Sequence, residues 1–227
     1  ALTDASGTEH ATVDAAITSN DTSAVSAAVA ADTTFSSLAD LVAAYEAAIA
    51  APEVTSTTLG TGQDKITAGL YDTIDASLNS SGLQTLGSFD QIRGTDGSSD
   101  VLTAVITGSV TPSLISGVET INVTNTAAAT LGLGNATGLT AVNAAGAAGG
   151  ALTISDIAPT VSVSLSDSTQ DHTINYSSVA GSSDAASIAV AGLTGAADIT
   201  VAGIEDLSLS FSGTSNSVEV SAAAATK

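Results

Sequence analysis

From residue 54 to the end of the chain, apolar residues alternate with small polar residues in short runs, and this two-residue period most restricts the possible folds. Successive side chains of a β-strand point to opposite faces, so the period predicts strands with one buried face. Glycine or aspartate turns separate the runs. The clearest strands are predicted at VLTAVIT (101–107), VETINVT (118–124), ALTIS (151–155), TVSVSLS (160–166), TINYS (173–177), SIAVA (187–191), DITVA (198–202) and DLSLSFS (206–212).

The side chains available for a core are small. The chain has three Phe, three Tyr and no Trp, so a wide core cannot be filled, and closely spaced backbone layers are expected. Stacked coils of short parallel strands can be filled by such small side chains, because each coil covers the end of the one before it. The pattern therefore predicts a mainly β fold, a β-solenoid, with a two-sheet β-sandwich as the alternative.

One internal repeat supports stacked coils. SGVETINVT (116–124) aligns with AGIEDLSLS (202–210), each with a glycine, a β-branched residue and a glutamate before alternating strand residues. We expect the two copies to occupy equivalent positions in separate coils.

The first 53 residues differ from the rest. SSLADLVAAYEAAIAAP (36–52) predicts an amphipathic helix ending at Pro52. A small helical N-terminal region, residues 1–53, is therefore predicted to precede a β-rich domain, residues 54–227. The apolar positions at helical spacing are Leu38, Leu41, Val42, Tyr45 and Ile49.

The net charge is −20, from 23 acidic and 3 basic residues. This balance opposes binding to nucleic acid or to an anionic membrane, and it favours a cationic partner such as a metal ion. No apolar run approaches the roughly 20 residues that span a bilayer, so no membrane insertion is expected. The absence of Cys and Met is compatible with an extracellular protein.

Two turns carry aspartates in a pattern suited to calcium. GTGQDKI (60–66) has glycines that permit a tight turn and a carboxylate that could supply oxygen ligands. GTDGSSDVL (94–102) has a similar arrangement. We expect calcium-binding turns within residues 60–102, although Asp, Gly and Ser are also ordinary turn formers. The candidate ligands are Asp64, Asp90, Asp96 and Asp100, with Asp72 and Asp75 as weaker candidates.

The order GTGQDKI, FDQIRGTDGSSDVL and ISGVETINVT, followed by a long Ala/Thr/Gly/Val tract, resembles the calcium-dependent surface-layer proteins of Gram-negative bacteria and related secreted proteins with Gly- and Asp-rich (RTX-like) repeats. The resemblance is carried by residues 59–125. It implies a β-solenoid that uses calcium to fold and to assemble outside the cell after export through a one-step channel. The repeats here are few and imperfect.

These observations favour a non-enzymatic, secreted structural protein that self-assembles with calcium into a surface layer or filament. Its main partner would be other copies of itself, with a cell-surface polysaccharide as a second candidate. An adhesin or ligand-binding solenoid is the alternative, and a polysaccharide lyase using Arg93 as base is less favoured. GLGNATG (132–138) predicts a solenoid turn, and DSTQDH (167–172) a chance grouping of triad residue types.

Overall fold

The computed structural model describes residues 56–69, 72–95, 99–146, 149–180, 183–195, 197–213, 216 and 218–223. The predicted helical region, residues 1–53, lies outside them. The described residues contain strands and turns and no helix, so none belongs to a helix that could cross a membrane.

The described part forms seventeen short strands whose inward and outward residues alternate. They are β1 (Ser56–Thr58), β2 (Lys65–Thr67), β3 (Thr73–Ala76), β4 (Gln91–Arg93), β5 (Val101–Ile106), β6 (Leu114–Ser116), β7 (Thr120–Asn125), β8 (Ala129–Gly132), β9 (Ala136–Thr137), β10 (Ala141–Ala145), β11 (Leu152–Ile157), β12 (Ser162–Ser166), β13 (His172–Tyr176), β14 (Ala185–Ala191), β15 (Ala197–Ala202), β16 (Asp206–Ser212) and β17 (Val218–Ala223).

All paired strands are parallel, and they stack into three sheets. The large sheet has eight strands in the order β1-β3-β5-β7-β10-β12-β14-β16. A four-stranded sheet, in the order β2-β4-β6-β9, belongs to the coils of the first half of the large sheet. A five-stranded sheet, in the order β17-β15-β13-β11-β8, belongs to the coils of its second half. The chain passes from sheet to sheet and returns one strand further along. The fold is therefore a β-solenoid of about seven turns, as predicted, and not a sandwich.

Besides buried side chains from the two smaller sheets, the core contains one continuous row of side chains in register along the large sheet. This core row of the large sheet runs through every coil and is almost completely buried between its two ends. Each buried aliphatic side chain contributes roughly 1.5–3 kcal/mol relative to an exposed one, so the row contributes to cohesion between coils. Its members are Thr57, Ile74, Leu102, Ile121, Val142, Val163, Ile188 and Leu209.

The residue that follows each core-row residue along the strand points outward. Together these residues form an outward row of the large sheet, with mainly small polar side chains. The Asn143 side-chain amide donates to the Asn122 side-chain oxygen at 2.9 Å, so identical side chains stack between neighbouring coils. The outward row consists of Thr58, Asp75, Thr103, Asn122, Asn143, Ser164, Ala189 and Ser210.

The predicted internal repeat occupies equivalent places in the fold. Gly117 and Gly203 both have left-handed backbone conformations, with φ of 62° and 83°, which glycine adopts without steric cost. Val118 and Ile204, which follow them, are buried, and each copy then leads into a strand of the large sheet. The two strands, β7 and β16, are four steps apart in that sheet.

Candidate functional site

Acidic side chains recur at one place in the coil, immediately before a strand begins. Asp64 and Asp90 precede β2 and β4, and we call them the small-sheet pair. A second set precedes strands of the large sheet, and we call it the large-sheet column. It consists of Asp72, Asp100, Glu119, Asp184 and Glu205, ahead of β3, β5, β7, β14 and β16.

The small-sheet pair joins two coils through backbone amides. Asp90 is fully buried, and its two carboxylate oxygens accept the N–H of Asp64 at 2.9 Å and the N–H of Gly87 at 2.7 Å. The first bond crosses to the previous coil, and the second closes the turn that contains Asp90. Asp64 closes its own turn in the same way, accepting the N–H of Gly60 at 2.9 Å.

The large-sheet column repeats this arrangement. Asp100 is fully buried and accepts the N–H of Asp72 at 2.7 Å and the N–H of Thr95 at 2.8 Å. The N–H of Asp100 in turn donates to Glu119 at 2.8 Å, one coil further on. Asp72, also buried, closes its own turn by accepting the N–H of Gly69. Three successive coils are thus tied by carboxylates that accept amide protons from the coil before them.

The same bond reappears near the other end of the column, where the N–H of Asp184 donates to Glu205 at 3.0 Å. The segments that contain these two bonds share a longer sequence repeat than the nine-residue repeat described in the sequence analysis. GSSD (97–100) is followed by the first repeat copy, and GSSD (181–184) is followed by the second. Glu119 and Glu205 were not among the predicted site residues, although their shared place in the repeat was the signal that could have identified them.

Buried carboxylates in these positions fix the register between coils. A backbone N–H at the end of a turn has no strand partner, and burying it without one costs about 1–3 kcal/mol. A carboxylate accepts such amides through charge-assisted bonds, and the amides in turn offset the cost of burying its charge. The arrangement therefore has a structural function, which is to hold neighbouring coils in register.

The structure places the predicted calcium ligands as follows. Asp64 and Asp90 lie in neighbouring coils, as do Asp72 and Asp100, whereas Asp75 sits on the outward row and accepts the N–H of Ser77 at 2.9 Å. Asp96 lies outside the described residues. Within the described ranges, no three acidic or histidine side chains are grouped as metal ligands.

Calcium takes six to eight oxygen ligands, and a carboxylate has about four lone-pair positions. The two amides that Asp90 accepts fill about half of them. The described residues thus supply carboxylates in pairs, and a full calcium shell at these turns would need further oxygens, from backbone carbonyls, water or other carboxylates such as Asp96. Calcium binding by these residues stays a prediction.

Arg93 and the hexapeptide DSTQDH (167–172) are described residues that an enzyme interpretation would use. Arg93 is half-buried and donates from Nη1 to the Gln91 side-chain oxygen at 3.3 Å. In DSTQDH, the Ser168 hydroxyl oxygen accepts the Gln170 N–H within its own turn, and Asp171 accepts the Asp198 N–H. Neither ring nitrogen of His172 has a hydrogen-bond partner in the described part of the chain. That this hexapeptide is a chance grouping stays a prediction.

His172 and Tyr176 are buried on the same inward face of β13. Burial lowers the pKa of His172 below its usual value, and the neighbouring Asp171 carboxylate opposes this in part. Burial also raises the pKa of Tyr176 to about 12. Both side chains are therefore neutral at pH 7, which lets them pack within the core.

A cleft of about 370 Å³ opens beside β9, where the four-stranded sheet ends. Leu133, Ala136, Ile157 and Val161 contribute apolar surface to it, and Asp156 is the one ionisable residue in its lining. The segment 132–138 was predicted to be a turn; it contains the turn at residues 133–135 but also the end of β8 and all of β9.

The chain matches no known protein-family model, and no curated protein is detectably similar to it in sequence.

Proposed function

We propose that this protein is a secreted structural protein that self-assembles, with calcium, into a surface layer or filament. The observation that carries the proposal is that the solenoid, in its described residues, ends in strand edges. β1 and β16, at the two ends of the large sheet, each have one edge without a strand partner among the described residues. Free strand edges add further strands readily, so a solenoid with two such ends can associate with its own copies.

Calcium is proposed as the condition for assembly because of charge. At −20, copies of the chain repel one another, and a divalent cation that binds carboxylates lowers this repulsion. The turns at 60–102 are the proposed binding region, with Asp64, Asp90, Asp96, Asp100, Asp72 and Asp75 as candidate ligands. The carboxylates before the strands already lie at coil spacing, which supports the choice of region.

The test is negative-stain electron microscopy of the purified chain with millimolar calcium and with a chelator, combined with circular dichroism of both samples. We expect ordered polymers only with calcium. Magnesium at the same concentration controls for general charge screening and should give no polymers. A folded chain that stays monomeric in all conditions would refute the proposal.

The outward row favours a second candidate, an adhesin or ligand-binding solenoid. Its Ser, Thr and Asn side chains form a regular polar face, and the Asn122–Asn143 bond holds part of that face in one orientation. Such a face could bind a glycan through repeated hydrogen bonds. A monomer that binds a polysaccharide without forming polymers would favour this candidate over assembly.

A further inference from the structure

The cleft beside β9 lies where a further strand of the four-stranded sheet would otherwise be. That sheet ends at β9, and the cleft opens between residues 133–139 and residues 156–161 of the next coil. The next coil does not continue the ladder, because Pro159 has no N–H to donate and the N–H of Val161 donates to the Ala158 carbonyl at 3.0 Å. The cleft therefore follows from the sequence of the turn after β11.

A β-bulge brings Asp156 to this cleft. The pairing of β11 with β13 shifts between Ser155 and Ile157, so Asp156 is an additional residue in β11. Its φ is 62°, a left-handed conformation that aspartate tolerates better than most side chains. Bulges redirect side chains and are frequent beside active sites. Asp156 is exposed, and it is the one ionisable residue in the lining of the cleft.

Glycines keep the side of the cleft that faces Asp156 open. A Cβ at Gly134 would lie 3.3 Å from the Cβ of Asp156, closer than an ordinary contact. Gly138 also lines the cleft, and its φ of 84° is a conformation that glycine adopts without steric cost. A side chain at either position would be strained or crowded, so the space beside the Asp156 carboxylate stays available to a ligand.

The polar groups at the cleft are mainly hydrogen-bond acceptors. One oxygen of the Asp156 carboxylate accepts the Ser155 hydroxyl at 3.0 Å, which leaves capacity for further donors. The carbonyls of Asn135 and Thr137 accept N–H groups of the previous coil. Because successive carbonyls of a strand point to opposite edges, the Ala136 carbonyl is directed to the other edge of β9, along which the cleft opens.

This set of groups fits a primary ammonium group on a short aliphatic chain. An ammonium group donates three hydrogen bonds and accepts none, which matches a carboxylate beside a carbonyl. Thr137 and Thr160 add hydroxyl groups to the lining, and Leu139 and Ile157 offer apolar contact. The volume of about 370 Å³ lies at the lower end of the range for small-molecule sites. Calcium fits less well, because it takes six to eight oxygen ligands and the lining has one carboxylate.

We propose that the cleft between β9 and the β11 bulge binds a primary ammonium group on a short aliphatic chain, with the Asp156 carboxylate as its counter-ion. The net charge of −20 attracts cations to the whole chain, and the cleft adds shape and apolar contact to that attraction. The ligand is a small alkylamine or a lysine side chain, which share this chemistry. The cleft involves none of the residues at 60–102, so the inference does not rest on the proposed self-assembly.

The test is an NMR titration of the isotope-labelled chain with n-butylammonium, in chelator, followed through the backbone amides of Gly134, Gly138 and Ile157. We expect saturable shifts confined to the cleft. Binding of n-butanol, which has the same aliphatic chain and no charge, should be at least about tenfold weaker. Shifts spread evenly over the acidic residues of the chain, or n-butanol binding as tightly as butylammonium, would overturn the inference.

Asp156→Asn removes the counter-ion while keeping the size of the side chain, and asparagine also tolerates a left-handed backbone. We expect this variant to bind butylammonium at least about tenfold more weakly, equivalent to about 1.4 kcal/mol. Asp167→Asn is the matched control, because Asp167 is also exposed and has a φ of 51° but does not line the cleft. It should leave binding unchanged. Equal affinities of the two variants would show general charge attraction and would overturn the inference.

Ala158→Phe tests the shape of the cleft with the carboxylate in place. Ala158 is exposed and lines the cleft, so phenylalanine there should fill part of it and weaken butylammonium binding about tenfold. Unchanged binding would place the ligand outside the cleft and contradict the proposal. A short lysine-containing peptide with blocked ends then separates the two sources of the ligand. Tighter binding than that of butylammonium identifies a lysine side chain of a partner, and equal or weaker binding identifies a small amine.

Discussion

Replacing Asp90 by alanine tests whether the buried carboxylates hold the coils together. The Asp90 side chain is 0% exposed and accepts two backbone N–H groups, those of Asp64 in the previous coil and Gly87 in its own turn. Alanine removes both acceptors and leaves the amides without a partner. The backbone carbonyl of Asp90, which accepts the N–H of Leu114, is unaffected by the substitution itself.

The expected loss follows from these two bonds. A hydrogen bond to a charged group contributes about 1.5–3 kcal/mol, so the pair contributes roughly 3–6 kcal/mol. Removing the carboxylate also removes the cost of burying its charge, which offsets part of the loss. We expect a net destabilisation of about 2–4 kcal/mol, a large share of the roughly 5–15 kcal/mol typical of folded domains.

Urea unfolding followed by circular dichroism, in the presence of chelator, measures this loss without a contribution from calcium. Asp75→Ala is the matched control, since it removes the same charge but only one bond, to Ser77 within its own turn. Because this single bond involves a carboxylate that is only half-buried, it should cost clearly less than the change at Asp90, about 1–1.5 kcal/mol. Equal unfolding midpoints for the two variants would refute a structural role for Asp90. If Asp90 also binds calcium, added calcium should stabilise the wild type more than the Asp90→Ala variant.

Three further predictions concern pH and packing. The pKa of buried His172 lies below its unfolded value of 6.5, so the unfolded chain binds more protons than the folded chain as the pH falls below about 6.5. The free energy of unfolding should therefore fall by up to roughly 1.4 kcal/mol per pH unit until the folded pKa is reached, and a His172→Leu variant measured between pH 7.5 and 5 should lack this component. Gly94→Ala places a Cβ against the Gly117 carbonyl and should destabilise by at least about 2 kcal/mol, whereas Gly108→Ala meets open space and should have little effect in the same urea assay. Leu102→Ala in the core row should cost about 2–5 kcal/mol, compared with less than about 0.5 kcal/mol for the 56% exposed Leu83→Ala; equal costs would contradict the assigned packing.

The strands that the sequence predicted best are those with several alternating apolar residues. The run at 206–212 coincides with β16, and the run at 101–107 exceeds β5 by one residue. The strands it missed include β2 and β4, which have three residues each and one inward aliphatic side chain. So short a segment carries too little periodicity to be recognised, and it becomes a strand because a neighbouring coil supplies its hydrogen-bond partners.

The candidate site, too, could be predicted from the sequence only in part. The sequence identified Asp64, Asp90 and Asp100 as aspartates in glycine-containing turns, and the structure confirms that they lie next to strands in stacked coils. It could not show that their oxygens accept amides from another coil, because Asp90 and Asp64 are 26 residues apart and such a bond depends on the register between coils. For the same reason the sequence did not identify Glu119, which accepts the N–H of Asp100, 19 residues earlier in the chain.

The sequence by itself determined the β-class of the domain, the near absence of aromatic side chains from its core and the turn positions of its aspartates, since these depend on local alternation, composition and turn chemistry. Only the tertiary structure decided how many sheets form, which strands pair, and that the carboxylates bind amides of the preceding coil. Those features depend on the register between segments about 20 to 28 residues apart, which is fixed when each coil buries the inward residues of its neighbours.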